Sequence, residues 1–195
     1  MTREELIRRH LAHEQARKMS VNRLLRELEQ LARAHPALHK NEFSTTLLSE
    51  DIGVKINGAD LIQILINLSV NAFECSPQPH RVDVGGEVLR APIDLTAFKE
   101  GPNNRILNLK TLDNTVPLLK LWVQDTGPGI PPEVLPQIFH PLFTTKGPSP
   151  GAGLGLTVVQ RLVEEASGAL HVHTKQGNGT VFTIYLPGAA PAPAR

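Results

Sequence analysis

Between Asp60 and Glu74, five polar residues (Asp60, Gln63, Asn67, Asn71 and Glu74) recur every three or four positions. On a helix that spacing gathers them into one stripe, and Leu61, Ile62, Ile64, Leu65, Leu68 and Phe73 take the remaining faces. Amides on so apolar a helix need partners, because a buried one without a hydrogen bond costs about 1–3 kcal/mol. Further on, Asp125 closes the apolar run 118–124 and opens the turn Thr126-Gly127-Pro128-Gly129-Ile130. A strand there would carry the carboxylate into a cleft at its end, and Gly127 and Gly129 permit a turn tight enough to approach a ligand. A third segment, Gly151-Ala152-Gly153-Leu154-Gly155-Leu156, leads straight into a helical pattern. Backbone N–H groups and the positive end of a helix dipole make such a place a seat for phosphate. It is not a dinucleotide fingerprint, since no strand directly precedes it and no βαβ unit follows. Nor is it a phosphate-binding loop of the Gly-Lys-Ser/Thr kind, which the chain lacks. Taken singly, the stripe is an ordinary solvated face and the aspartate turn an ordinary surface turn. Together and in order they are the parts of a nucleotide site.

With the run Ile138-Phe139-His140-Pro141-Leu142-Phe143-Thr144-Thr145-Lys146 between the second and third, these segments resemble the catalytic ATP-binding domain of sensor histidine kinases. That domain sits within the wider group that includes gyrase, the ninety-kilodalton heat-shock chaperones and the mismatch-repair ATPases. The resemblance covers about residues 42–187. It implies a two-layer α/β sandwich: a mixed, mostly antiparallel sheet of about five strands, helices on one face, and ATP held between helices and a lid. It implies that Asn71 gives its oxygen to a magnesium ion bound also to phosphate, the hard-oxygen ligation that magnesium prefers. Asn67 would line the phosphate side, and Glu74 would lie near the ribose and phosphates. Asp125 would accept from the adenine amino group, with Gly127, Gly129 and Ile130 as its glycine segment. Phe143, Thr144, Thr145 and Lys146 would close the lid, with Lys146 reaching the phosphates. Gly151, Ala152, Gly153, Leu154, Gly155 and Leu156 would seat the triphosphate. Gly177-Asn178-Gly179-Thr180 matches the last glycine segment, and Thr180 would meet the adenine end through water. Asn67 and Lys146 are the residues to which the resemblance gives the catalytic role.

The implied activity is transfer of the ATP γ-phosphoryl group to a histidine, for relay to a response-regulator aspartate. ATP, magnesium, a phosphoacceptor histidine domain and a response regulator are thus the implied cofactors and partners. A rival is the ATP-hydrolysing gyrase or chaperone type, which places a glutamate four residues before the metal-binding asparagine as base for water; Asn67 stands there instead. Other rivals are the anti-sigma type of serine kinase, which generally lacks the Phe-Thr-Thr-Lys run, and a non-catalytic nucleotide-binding scaffold. The acceptor histidine is expected outside this segment. His13-Glu14 is the nearest match, but Gln15-Ala16-Arg17-Lys18 does not continue the motif, and too little chain separates it from the asparagines for a two-helix hairpin.

The elements that must position these residues follow from pattern. Residues 4–35 read as helix, with Val21, Leu24, Leu28 and Leu31 alternating at three and four. Two readings fit: a helix packed on its own domain, or part of a dimerising hairpin that would join a homodimer through residues 1–40. Residues 43–56 suit one or two strands, 59–75 a helix, 81–89 and 118–124 strands. The stretch 90–117 has no clear period and reads as an insertion in a hairpin connection with minor strands of its own. Residues 131–150, dense in proline, read as a loop around a short helix, which the resemblance makes the ATP lid, 155–167 as a helix, 169–174 and 180–186 as strands, and 188–195 as a disordered tail.

Composition narrows the classes further. Lys+Arg 20 against Asp+Glu 19 leaves no basic excess for a nucleic-acid backbone. The single cysteine, Cys75, rules out an internal disulfide and a cysteine-based zinc site. No apolar run is long enough to span a bilayer, so no membrane contact is expected of this segment. The expected setting is cytoplasmic, either alone or as the cytoplasmic part of a larger membrane sensor.

Overall fold

Ser20 and Asn57 open two of the three α-helices among the described residues in the same way. The Ser20 hydroxyl accepts from Arg23 N–H at 3.0 Å and the Asn57 side-chain oxygen from Asp60 N–H at 2.8 Å. Each satisfies an N–H that the first turn leaves without an intrahelical partner. A computed structural model describes residues 20–144 and 153–189. Its helices are α1 (Val21–Arg33), α2 (Gly58–Phe73) and α3 (Gly155–Glu165). Its strands are β1 (Glu42–Thr45), β2 (Arg81–Leu89), β3 (Asn104–Leu107), β4 (Leu118–Asp125), β5 (Ala169–Thr174) and β6 (Thr180–Pro187).

The strands form one six-stranded sheet in the order β1-β2-β4-β6-β5-β3, in which only β1 and β2 run parallel. Period-two alternation points Val82 and Val84, Leu119, Leu121 and Val123, Leu170 and Val172, and Phe182, Ile184 and Leu186 to one face. There they pack with Leu61, Ile64, Leu65 and Leu68 of α2 and Val159, Leu162 and Val163 of α3 in one buried core. This is the mixed, mostly antiparallel sheet under helices that the sequence implied.

The sixth strand adds to the expected five as a minor strand of the insertion. It comes from the 90–117 connection and pairs with β5 at the far edge. Four residues, Asn-Arg-Ile-Leu, carry no alternation worth reading; their partner makes them a strand. The rest of that connection crosses to the other face of the sheet, where Ile93, Phe98, Leu109 and Leu112 pack on Leu118, Ala169 and Tyr185. Residues 43–56 supply only β1 and an isolated bridge from Val54 to Gly188. Gly188 and Ala189 are tied down, donating to Pro117 O and Gly53 O at 2.8 Å each; residues 190–195 lie outside the described ones.

Helix α1 packs on its own domain. Val21, Leu24, Leu25, Leu28 and Ala32 are buried in the core, whereas Leu31 is 46% exposed. Its start is locked by Asn22, whose amide donates to Leu48 O (3.0 Å) and accepts from Leu48 N–H (2.7 Å). Of the four residues expected to form a seam, Val21, Leu24 and Leu28 are thus buried within the chain and Leu31 is left on the surface. Residues 1–19, including His10 and His13, lie outside the described residues.

Candidate functional site

Between α2, the ends of β4 and β6, the 129–144 segment and the start of α3 lies a cavity of about 470 Å³. Of the expected set, Asn67, Asn71, Glu74, Asp125, Gly129, Ile130, Phe143, Thr144, Gly153, Gly155, Leu156 and Thr180 line it. Gly127 does not; it serves the wall from behind, donating its N–H to Asp125. Leu154 does not either: its side chain is exposed. Thr145, Lys146, Gly151 and Ala152 lie outside the described residues.

Asn67 and Asn71 are one turn apart on the cavity side of α2, both half-buried. Among the described residues neither amide has a hydrogen-bonding partner in the protein. Asn67 faces the first turn of α3 closely: a Cβ on Gly155 would sit 3.7 Å from Asn67 Oδ1. Glu74, the C-cap residue of α2, stands at the rim, 3.9 Å from His35 Nε2.

The other end is built differently. Asp125 ends β4 and is 4% exposed. Its Oδ1 accepts from Gly127 N–H at 2.8 Å and from the Cys75 thiol at 3.6 Å. Burial pushes its carboxyl above the usual carboxylate range, against the pull of those bonds and of His80 nearby. Sheet register pairs Asp125 with Thr180 on β6. The buried Thr180 hydroxyl meets Thr174 Oγ1 at 3.0 Å, and Thr174 Oγ1 also accepts from Ile130 N–H at 2.8 Å. Gly129 has φ +73 and presses on Lys175, whose carbonyl oxygen would lie 2.5 Å from any Cβ there, so only glycine fits this turn.

The segment expected to form a lid begins anchored. Leu135, Ile138 and Phe139 are buried in the core, whereas Leu142 is 72% exposed at φ 65. Leu142 N–H donates to Gly153 O at 3.0 Å, which ties the two flanks of residues 145–152 together. His140 is exposed.

Two contributors escaped sequence reasoning. Thr174 breaks the apolar inward register Leu170, Val172, Thr174, a signal that was there to use. Cys75 continues the spacing of four from Asn67 through Asn71, and it lines the cavity. Chemically, one end offers a held carboxylate to a hydrogen-bond donor, and the other offers open amides beside a helix start suited to anions. Asn71 Oδ1 and the Glu74 carboxylate are hard oxygens on the cavity wall, the donor type that fits magnesium.

Residues 56–190 match the family described as histidine kinase-, DNA gyrase B-, and HSP90-like ATPase. The sensor kinase CckA of Brucella abortus is 34% identical over 152 residues, 72% of this chain and 15% of CckA. The sensor histidine kinase ZraS of Salmonella typhimurium is 35% identical over 127 residues, 65% of this chain and 22% of ZraS. The chain thus spans under a quarter of the length of either relative. Among solved structures, full-length ShkA in complex with AMPPNP superposes with a TM-score of 0.63 at 26% identity, over 91% of this chain and 32% of ShkA.

Proposed function

The chain belongs to the family of histidine kinase-, DNA gyrase B- and HSP90-like ATPases, and from that premise we propose that it is the ATP-binding catalytic domain of a two-component sensor histidine kinase. It moves the γ-phosphoryl group of ATP to a histidine outside this segment, for relay to a response regulator. The observation that carries this reading is Asn67, a neutral amide on the cavity wall one turn before Asn71. An amide cannot take a proton from water, so the position where hydrolysing relatives hold their base is inert here. What remains is positioning and charge neutralisation, which phosphoryl transfer chiefly needs. The names of CckA and ZraS, both sensor kinases, support the same choice.

In this reading Asp125 accepts from the adenine amine, which separates ATP from GTP, and Thr180 supports the base through water. Asn67 and the start of α3 face the phosphates, and Asn71, with Glu74 beside it, holds magnesium. Magnesium, when bound, neutralises charge on the phosphate oxygens. Residues 131–150 close as a lid from the anchored Leu135–Phe139 side, and Lys146, outside the described residues, meets the departing phosphoryl group. A cytoplasmic setting belongs to this reading. No helix of the described residues is long and apolar enough to cross a membrane. A homodimer through the N-terminal helix, residues 1–40, would use a face other than Val21, Leu24 and Leu28, which are already buried.

The test is transfer itself. With ATP and magnesium the isolated chain should hydrolyse slowly, and adding a helical-hairpin protein bearing a suitable histidine should put acid-labile, base-stable phosphate on that partner. Lys146→Ala should slow transfer more than it weakens ATP binding. Rapid steady hydrolysis without a partner would replace this reading with the gyrase-like one.

A further inference from the structure

The Asp125 carboxylate is held at one oxygen by a chain of side chains. Its Oδ1 takes the Gly127 N–H and the Cys75 thiol. The sulfur lies 3.4 Å from His80 Nε2, which is 2.7 Å from the Ala72 carbonyl oxygen in the last turn of α2. The other ring nitrogen, Nδ1, is 2.9 Å from Gln78 O. The thiol is the donor in its contact with Asp125 Oδ1. The chain therefore joins the end of α2, the lead into β2 and the end of β4, the elements that meet at this end of the cavity. The thiol also packs directly under the glycine turn, since a Cβ on Gly127 would lie 2.3 Å from the sulfur.

We propose that Cys75, braced by His80, is a specificity-determining positioning residue of the base pocket. Its thiol and the Gly127 N–H together fix the plane of the Asp125 carboxylate, so that the acceptor capacity left over faces a base carrying an amine donor. This rests on the ATP reading above and deepens it. A purine with an amine there meets an acceptor, whereas guanine presents an oxygen and sets acceptor against acceptor. Such a mismatch is fully felt only if the carboxylate cannot turn away from it, because a rotating group relieves it by exchanging partners. The thiol's effect is thus on discrimination first.

Calorimetric titration of the full chain with Mg-ATP and Mg-GTP, beside thermal melts, tests this with Cys75→Ala and Cys75→Ser. Cys75→Ala should lower ATP affinity about three- to tenfold and leave GTP affinity equal or raised, as the freed carboxylate turns away from the guanine oxygen, shrinking the ATP:GTP ratio by at least that factor. Cys75→Ser, whose hydroxyl also donates, should restore the ratio. If Cys75→Ala melts too low to titrate, Cys75→Val fills the space without a donor and carries the same comparison with Cys75→Ser. A native ATP:GTP ratio in the donorless variant overturns the role, as does an equal loss of both nucleotides, which marks the thiol as merely structural. A native chain that binds neither nucleotide overturns the ATP reading and this inference with it; a discriminating native chain with an indifferent Cys75 overturns this inference alone.

Discussion

At the Asp125 end of the cavity a carboxylate that is 4% exposed has its Oδ1 occupied by two protein donors. At the asparagine end, Asn67 and Asn71 have, among the described residues, no protein partner. The first end is also cross-tied: Ile130, Thr174 and Thr180 share hydrogen bonds, and Gly177 N–H reaches Pro128 O at 2.8 Å. At the second end Phe143 lines the cavity next to the largely exposed Leu142. The difference teaches where the free energy of each end goes. In the proposed reading the Asp125 end, which would take the base, is organised before a ligand arrives, and a held group is selective because it cannot adapt to the wrong partner. The asparagine end, which in that reading would take the phosphates, leaves Asn67 and Asn71 open, so that their interactions would be made with the ligand and could strengthen as charge develops in transfer.

The sharpest way to break this division is to remove one group from each end. Asn71→Ala should slow phosphoryl transfer to the hairpin partner by about 10²–10³-fold, the usual worth of a group facing developing charge, read as the initial rate of acid-labile labelling at saturating ATP. Asp125→Asn should instead weaken ATP binding by about 1.5–3 kcal/mol, read by calorimetry, with transfer from bound ATP much less affected. If both variants changed affinity and rate alike, the two ends would not be doing different work.

A smaller effect follows from the burial of Asp125. Its carboxyl is held above the usual range chiefly by desolvation, so the neutral form suits the fold better. That stability is fully present below the unfolded pKa and is lost as pH rises through the raised folded value. Asp125→Asn, neutral throughout, should therefore melt about 2–4 °C above the native chain at pH 7. The gap should close below about pH 4. ATP affinity of the native chain should run the opposite way, falling as the pH drops through the raised value. A variant that melts lower at pH 7 would show that the carboxylate stabilises the fold, and the cost assigned to this end would be wrong.

The finest distinction lies within the lid. With Leu135, Ile138 and Phe139 in the core, hydrogen exchange at 135–139 should be slow with or without ATP, whereas ATP should slow exchange at 142–144. Equal protection across both stretches would make the anchored and the closing parts one element.

Local pattern was enough for much of this molecule. The four-residue spacing of Asn67 and Asn71, the aspartate–glycine turn and the glycine run before α3 are short-range signals. Each depends only on helix and turn geometry, so the sequence determined α2, β2, β4, β5, β6 and most of the cavity wall. Pairing and proximity decided the rest. Four residues without period became β3 because β5 offered an open edge, and the α1 stripe could have served a partner chain until the core claimed it. Cys75 reads as a lone apolar thiol until His80 and Asp125, 5 and 50 residues away, close on it. A periodicity is written in consecutive residues, whereas a contact belongs to whichever segments the fold brings together, and only the tertiary structure chose those.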